Sequence, residues 1–295
     1  MQNYFTMLCA PAPLDALSAP EGVSRVMDLI PDFWLRLIMY TIFFALIYSV
    51  TPWLLRKSVG SSFTEMTERD RRFFASSVSA LPHHAYVIMR ASGALITLIQ
   101  TGTYDAAALA SVAPLTLAYF SVDLVAYAIP ERDMVFLAHH LLGIAIAANM
   151  CILPLPLLRW VPHLLVTETS TPVLLLGRAL RKAGLAGSLL SRTNDALVIL
   201  TFFFTRVINM PFAFAVLLWF HPKDAYTIGS GGIVFVALLC VLQFYWFFLK
   251  LMPSALGLTK KINVAVNATT TTTQTIPSSS SSSTTIETAK EGKNK

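Results

Sequence analysis

The sequence predicts an all-α, polytopic membrane helix bundle of about seven transmembrane helices, with the N-terminus lumenal and the C-terminus cytoplasmic. Three observations carry that prediction. Of the 295 residues, 55% are hydrophobic and 13% are charged, a balance unlike that of soluble domains. The apolar residues fall in blocks of about 20, the length a helix needs to cross a hydrocarbon core of about 30 Å. The Lys and Arg residues between the blocks gather mostly on one side, which orients the chain.

The segment 1–32 carries Asp15, Glu21 and Asp28, with no basic stretch leading into an apolar run. It reads as a lumenal segment rather than a cleaved leader. Residues 33–69 hold the first apolar block, Phe33 to Leu55, and a cytoplasmic loop. The stretch 70–255 holds the other blocks: Phe74 to Gln100, Ala107 to Ile129, Met134 to Leu153, Leu155 to Leu176, Asp195 to Phe220, and Ile228 to Met252. The fourth and fifth are divided only by Pro154 and Pro156, and without that division the count is six. Residues 256–295 are dominated by Thr and Ser from Ala268 onward and read as a disordered cytoplasmic tail.

With seven spans, one side collects Arg56, Lys57, Arg69, Arg71, Arg72, Arg132, Arg178, Arg181, Lys182, Arg192, Lys250, Lys260 and Lys261, and the other Arg25, Arg36, Arg159 and Lys223. The excess marks the cytoplasmic face. The net charge of +6 is therefore mostly membrane orientation, and no aromatic-interleaved basic groove suggests nucleic acid as a partner. The sequon at Asn267 falls on the cytoplasmic side and is expected to stay unmodified. Cys9, Cys151 and Cys240 show neither metal-ligand nor thiol-redox spacing and read as unpaired, with a Cys9–Cys151 bridge open but unsupported. No internal repeat, phosphate-binding glycine loop or serine elbow is present.

What remains are ionisable residues inside the spans, which are costly there and so point to a functional site. At a rise of about 1.5 Å per residue, His139 and His140 lie about 8 to 9 Å from the cytoplasmic end of their span, and Asp123 about 10 Å. His83 and His84 come out about 15 to 17 Å deep, Glu168 about 15 Å and Arg206 about 18 Å. Five helices thus bring ionisable groups to overlapping depths. Asp123 or Glu168 with His139 or His140 would make a carboxylate–imidazole pair suited to acid–base or nucleophilic work. Neighbouring helical residues point about 100° apart, so only one histidine of a pair can face a given partner. Adjacent histidines lack the i, i+4 spacing that favours chelation on one helix face, and no metal is expected.

Each residue also has a plain packing role to set beside this one. His83 and His84 follow Pro82 and would serve equally by satisfying carbonyls that the proline frees. Arg206 would serve as a charge partner for Glu168, or the two together would fix a lipid headgroup. The Phe202–Phe204 and Phe244–Phe248 stripes are expected first as lipid contacts.

The ordered set Ala118-Tyr119-Phe120-Ser121-Val122-Asp123-Leu124, then Ala138-His139-His140-Leu141, Thr167-Glu168-Thr169-Ser170-Thr171-Pro172, and Thr201-Phe202-Phe203-Phe204-Thr205-Arg206 with Pro211 resembles the TLC-domain superfamily, over about residues 70 to 255. That superfamily includes ceramide synthases and translocating-chain-associating membrane proteins, and the Glu-Thr-Ser-Thr-Pro element is most like its less characterised members. The resemblance implies a polytopic protein of the endoplasmic reticulum. By ceramide-synthase likeness, it implies transfer of an acyl group from acyl-CoA to the amino group of a sphingoid base. It places His139 and His140 as the paired histidines of that transfer and Asp123 as the preceding acid, with no bound cofactor. Where the ceramide synthase motif continues into His-Asp-x-Ser-Asp, this chain reads Ala147-Ala148-Asn149-Met150-Cys151-Ile152-Leu153-Pro154, so the acidic continuation is missing.

Three functions follow as expectations. The first is lipid binding or sensing in lipid homeostasis, with Glu168, Arg206, His83, His84 and Tyr119 lining a cytoplasm-facing intramembrane cavity. The second is an acyl-CoA-dependent N-acyltransferase using His139 and His140. The third is a seven-span receptor. Membrane lipids are the expected partners throughout, with an oligomer open.

Overall fold

The computed structural model describes residues 25–59, 65–132 and 134–255, and among these the chain is helical apart from turns and one isolated backbone bridge between Arg25 and Pro154. Cys9, the tail beyond residue 255 and the sequon at Asn267 lie outside the described residues. The described residues up to Met252 form one compact unit, and of Pro253–Lys295 the described part is the end of a short helix, Met252–Ala255.

Helix α1 (Phe33–Val59) turns an apolar face outward, with Trp34, Ile38, Met39, Ile42 and Leu46 exposed. Its inward side seats the fully buried Phe44 against Tyr119, ring centroids 5.6 Å apart. Helix α2 (Glu68–Thr101) starts where Thr67 accepts a hydrogen bond from the Asp70 backbone N–H, with Glu68 and Asp70 in the first turn complementing the helix dipole. It stops at Gly102, whose left-handed φ of 74° a side-chain-bearing residue would resist. A short helix, Ala106–Ala110, leads into α3 (Val112–Asp123), which runs on through a π-helical turn, Leu124–Ala128, to Glu131. Helix α4 is Met134–Ile152.

The fifth apolar block, expected as one helix from Leu155, is instead three short pieces. A 3₁₀ turn (Leu155–Trp160), an α-helical turn (Val161–Leu165) and a second 3₁₀ turn (Val166–Thr169) precede helix α5 (Ser170–Lys182). Pro154, Pro156 and Pro162 crowd this stretch, and each removes a backbone donor and restricts the residue before it. The sixth block is α6 (Leu189–Phe202), a π-helical turn (Phe203–Asn209) and α7 (Met210–Phe220), and the seventh is α8 (Pro222–Trp246) with a further π turn, Phe247–Leu251. Four segments, Phe33–Ser58, Ala106–Glu131, Leu189–Phe220 and Pro222–Leu251, are long and apolar enough to cross a membrane, and Phe136–Ile152 is a shorter apolar helix.

Polar contacts tie the turns into two ends. At one, Glu131 accepts from Arg69 at 2.8 Å and Arg72 at 3.1 Å, and Lys182 reaches Asp70 at 2.7 Å. At the other, the Val26 N–H donates to the Leu153 carbonyl at 3.1 Å, the Tyr104 hydroxyl to the Leu155 carbonyl at 3.2 Å, and the Trp160 indole to Asp224 at 3.0 Å. Between the ends, α3 packs against α1 and α4, and α2 against α1 and Val161–Leu165. Helices α3 and α4 meet where Gly143 faces the ring of Phe120. A Cβ added at Gly143 would stand 2.9 Å from two ring carbons.

Gly143→Val is therefore expected to push Phe120 off its seat and to destabilise by about 1–3 kcal/mol, the usual range for overpacking a filled core. Thermal unfolding in detergent would show it as a lowered midpoint, and an unchanged midpoint would mean the ring moves aside freely.

Candidate functional site

The turns and breaks just described surround a cavity of about 420 Å³ in the half of the bundle nearest the Glu131 end. Asp123 from α3 and His140 from α4 meet in its wall, Nε2 to Oδ2 at 2.6 Å, both buried. The Ser76 hydroxyl on α2 donates to the other Asp123 oxygen at 2.6 Å. On the far side of the ring, His140 Nδ1 lies 3.0 Å from the Phe136 carbonyl. A carbonyl only accepts, so Nδ1 carries a proton and Nε2 faces the carboxylate. The pair then shares one further proton, as imidazolium with carboxylate or as imidazole with carboxylic acid. Both nitrogens of His140 are committed.

His139, the next residue, turns elsewhere. Its ring lies 5.0 Å from that of Trp246 and 6.0 Å from that of Phe120, and its Nδ1 has no hydrogen-bond partner. It lines both the main cavity and a smaller one of about 50 Å³ beneath it.

Across the cavity, His84 on α2 brings Nδ1 to 3.0 Å from Glu168 Oε2, within ion-pair range but not aligned as a hydrogen bond. Glu168 lies in the second 3₁₀ turn and accepts from the Thr171 hydroxyl at 3.0 Å. Arg206, in the π turn after α6, donates from one Nη to that same hydroxyl at 2.8 Å and from the other to Gln243 at 3.2 Å. Its Nε is shared between the Thr167 carbonyl at 3.0 Å and Ser170 Oγ at 2.8 Å. The expected direct Glu168–Arg206 pair is long, at 4.0 Å, with Thr171 bridging it. A guanidinium has five N–H groups. Two of those on Arg206 meet no protein acceptor among the described residues.

His83 takes a different place from its neighbour. Fully buried, it stacks on Tyr119 at 4.2 Å and 16° and meets Thr116 Oγ1 through Nε2 at 3.3 Å. It lines the smaller cavity and not the larger one, whereas Tyr119 reaches the larger. Neither His83 nor His84 bonds a carbonyl freed by Pro82. The Phe202–Phe204 stripe divides as well: Phe204 points outward, while Phe202 is buried in the cavity wall, stacked on Phe247 at 6.0 Å.

The sequence reading missed Ser76, Thr171, Thr116 and Gln243. Ser76, Ala80, His83 and His84 share one face of α2 at helical spacing, which was the available signal for Ser76. Gln243 is a lone amide in an apolar span, a signal of the same kind as Arg206 but weaker. Among the described residues, no group of three His, Cys, Asp or Glu side chains is close enough to hold a metal ion. Cys151 and Cys240 are free and buried.

Separating the two histidines gives a direct test. His140→Ala strands a buried carboxylate and is expected to cost about 3–5 kcal/mol, the range for breaking a buried pair. His139→Ala removes no hydrogen bond of its Nδ1, so its thermal midpoint should fall far less. Equal losses would contradict the division of roles.

The model of the TLC domain matches residues 34–251, taking in α1 as well as the stretch beyond residue 70. No curated protein and no solved structure matches the chain.

Proposed function

This chain belongs to the TLC-domain family and is an integral membrane protein of lipid-related function, and we propose that it binds or senses a membrane lipid in the cavity between Asp123–His140 and Glu168–Arg206. The observation that carries the reading is the unspent bonding capacity of that cavity. Two Arg206 N–H groups have no hydrogen-bond acceptor, and His84 Nε2 and His139 Nδ1 are buried without one, on residues that line a space with apolar walls from Phe120, Leu174, Phe202 and Trp246. Small-molecule sites combine an apolar lining with a few convergent polar groups in this way. A lipid carbonyl or headgroup oxygen would take the Arg206 donors, with its chains against the aromatic wall.

The placement in the membrane that goes with this reading has seven crossings, the N-terminus lumenal and the Glu131 end cytoplasmic, in the endoplasmic reticulum. Supporting it are the alternation of successive turns between the two ends and the excess of Lys and Arg at the Glu131 end. The broken stretch Leu155–Thr169 would lie at membrane depth but inside protein, where irregular backbone is tolerated.

A second reading, acyl transfer, is favoured by His139. Its imidazole would take the proton of an attacking lipid amine as the amide bond forms at the thioester carbonyl of acyl-CoA. It would then return the proton to the departing thiolate, while Arg206 N–H groups stabilise the oxyanion. The Asp123–His140 pair would hold the neighbouring backbone and rings in place.

One preparation tests both. Purified protein in lipid micelles is expected to retain a lipid through detergent exchange, identified by mass spectrometry. Leu174→Trp, which fills the cavity without touching an ionisable group, should lower that lipid at least about tenfold, the effect of losing a few favourable contacts. Offered acyl-CoA and a sphingoid base, an N-acyl product that vanishes with His139→Ala would establish the transferase. A preparation with neither bound lipid nor product would sink both readings.

A further inference from the structure

A second cavity of about 430 Å³ adjoins the first and shares Phe73, Tyr127, Phe136 and Arg178 with it as common walls. Its charged lining comes from α2, the end of α3 and α5: Arg69, Arg178, Arg181 and Lys182 against Asp70 and Glu131, an excess of two positive charges among the lining residues, one of them offset by Asp195 just outside the lining, which Arg181 reaches. Orientation in the membrane explains why basic residues lie at this end. It does not explain why these converge, because Arg56, Lys57, Arg71 and Arg192 obey the same rule without lining either cavity.

The chamber beyond is arranged differently. There Asp123 meets His140, and Glu168 offsets Arg206, so its depth carries little net charge, while Arg178 and Lys250 stand in its wall. Charge thus rises from the chamber to the vestibule. We propose that the vestibule is a binding site for the phosphate of an anionic phospholipid whose apolar part enters the chamber, with Arg178 at the passage between them. The assignment rests on the lipid-cavity reading above for the apolar half of the ligand only.

The chemistry suits a phosphate. Guanidinium groups present planar donor forks that match phosphate oxygens, and two of the three arginines in the lining stand on α5 one turn apart, at positions 178 and 181. The existing ion pairs are of a kind that a ligand can exchange. Arg181 reaches Asp195 at 3.0 Å with both side chains about half exposed, and Lys182 reaches Asp70 at 2.7 Å with Lys182 47% exposed. Exposed pairs contribute little to stability, about 0–1 kcal/mol. The hydrogen bond from Lys182 nonetheless holds the Asp70 carboxyl below its ordinary range, so Asp70 stays charged and keeps that ammonium at the rim. Arg178 lies over the Phe73 ring, its guanidinium carbon 5.2 Å from the centroid, a contact that fixes its plane at the passage between the two cavities.

The test uses short-chain, water-soluble lipids titrated against the purified full chain in an uncharged maltoside, read by calorimetry. Dihexanoyl phosphatidic acid is expected to bind at least about tenfold more tightly than dihexanoylglycerol, the effect of one or two charge-assisted hydrogen bonds. The variant Arg178→Gln with Arg181→Gln should bring the two lipids to within about twofold of each other, the loss falling mainly on the phosphatidic acid. Raised salt should weaken the phosphatidic acid alone. Equal affinity for the two lipids, or a phosphate preference that survives the double variant, overturns the vestibule site and leaves the lipid cavity standing. Binding of inorganic phosphate with no binding of either lipid overturns the lipid-borne proposal, and the fault then lies with the cavity reading. Leu174→Trp separates the halves: it should weaken both lipids together and keep any response to inorganic phosphate.

Discussion

A guanidinium buried in an apolar bundle draws acceptors from every chain segment within reach, because burying a charged donor unpaired is costly. Arg206 satisfies three of its five N–H groups through four residues on three elements: Thr167, Ser170, Thr171 and Gln243. The requirement reaches back into the backbone. The Thr167 carbonyl accepts from both Arg206 and Ser170 Oγ, and it can do so because the segment around it is wound as 3₁₀ and short α-helical turns and not as one continuous helix. The prolines that break the fifth apolar block are thereby part of the site. They keep carbonyls and hydroxyls near Glu168 available to a cation on another helix.

The π turns follow the same logic on the other side of the cavity. One begins at Leu124, directly after Asp123, one contains Arg206, and one begins at Phe247, directly after Trp246. Pro130 and Pro211 follow the first two, and a proline in a helix clashes with the carbonyl four residues back and leaves it without a donor. Widening the turn relieves the clash. At Pro130 the stranded carbonyl is that of Ala126, and the hydroxyl of Tyr48 on α1 donates to it at 2.9 Å. Each widening also shifts the phase of the residues after it, so a helix can present one face to the cavity and a different one to its neighbour below. Helix α1 is fastened to the bundle by the same device.

Much of this was legible in the sequence, and for a definable reason. Ionisable residues in apolar spans are rare enough that each one carries information, and a fixed rise per residue turns sequence position into depth. Asp123, His84, His139, His140, Glu168 and Arg206 do surround one cavity. Depth says nothing about azimuth, however. His83 and His84 sit at almost the same depth, yet one stacks on Tyr119 and the other faces Glu168. The hydroxyls of Ser76 and Thr171 were hidden for another reason, since a serine or threonine in a helix ordinarily bonds its own backbone and costs nothing to bury. The fifth block was the hardest. Hydropathy averages over a window and is blind to whether the backbone beneath is continuous, so Leu155 to Leu176 reads as a span although three prolines divide it.

The unequal state of the two adjacent histidines follows from the geometry of a helix and one carbonyl. His140 reaches back four residues to Phe136 through Nδ1, and that bond leaves Nε2 to face α3, where Asp123 waits. His139 is rotated about 100° away, past the Phe120 ring and toward Trp246. There no backbone acceptor is in reach, and its Nδ1 remains without a partner. An imidazole held on both sides is fixed in tautomer and orientation and is poorly placed to exchange protons with a ligand, because both exchangeable positions are occupied. An imidazole held by rings alone keeps a nitrogen without a hydrogen-bond partner. Of the pair, His140 therefore anchors α4 to α3, and the anchored helix turn sets its neighbour in the walls of both cavities.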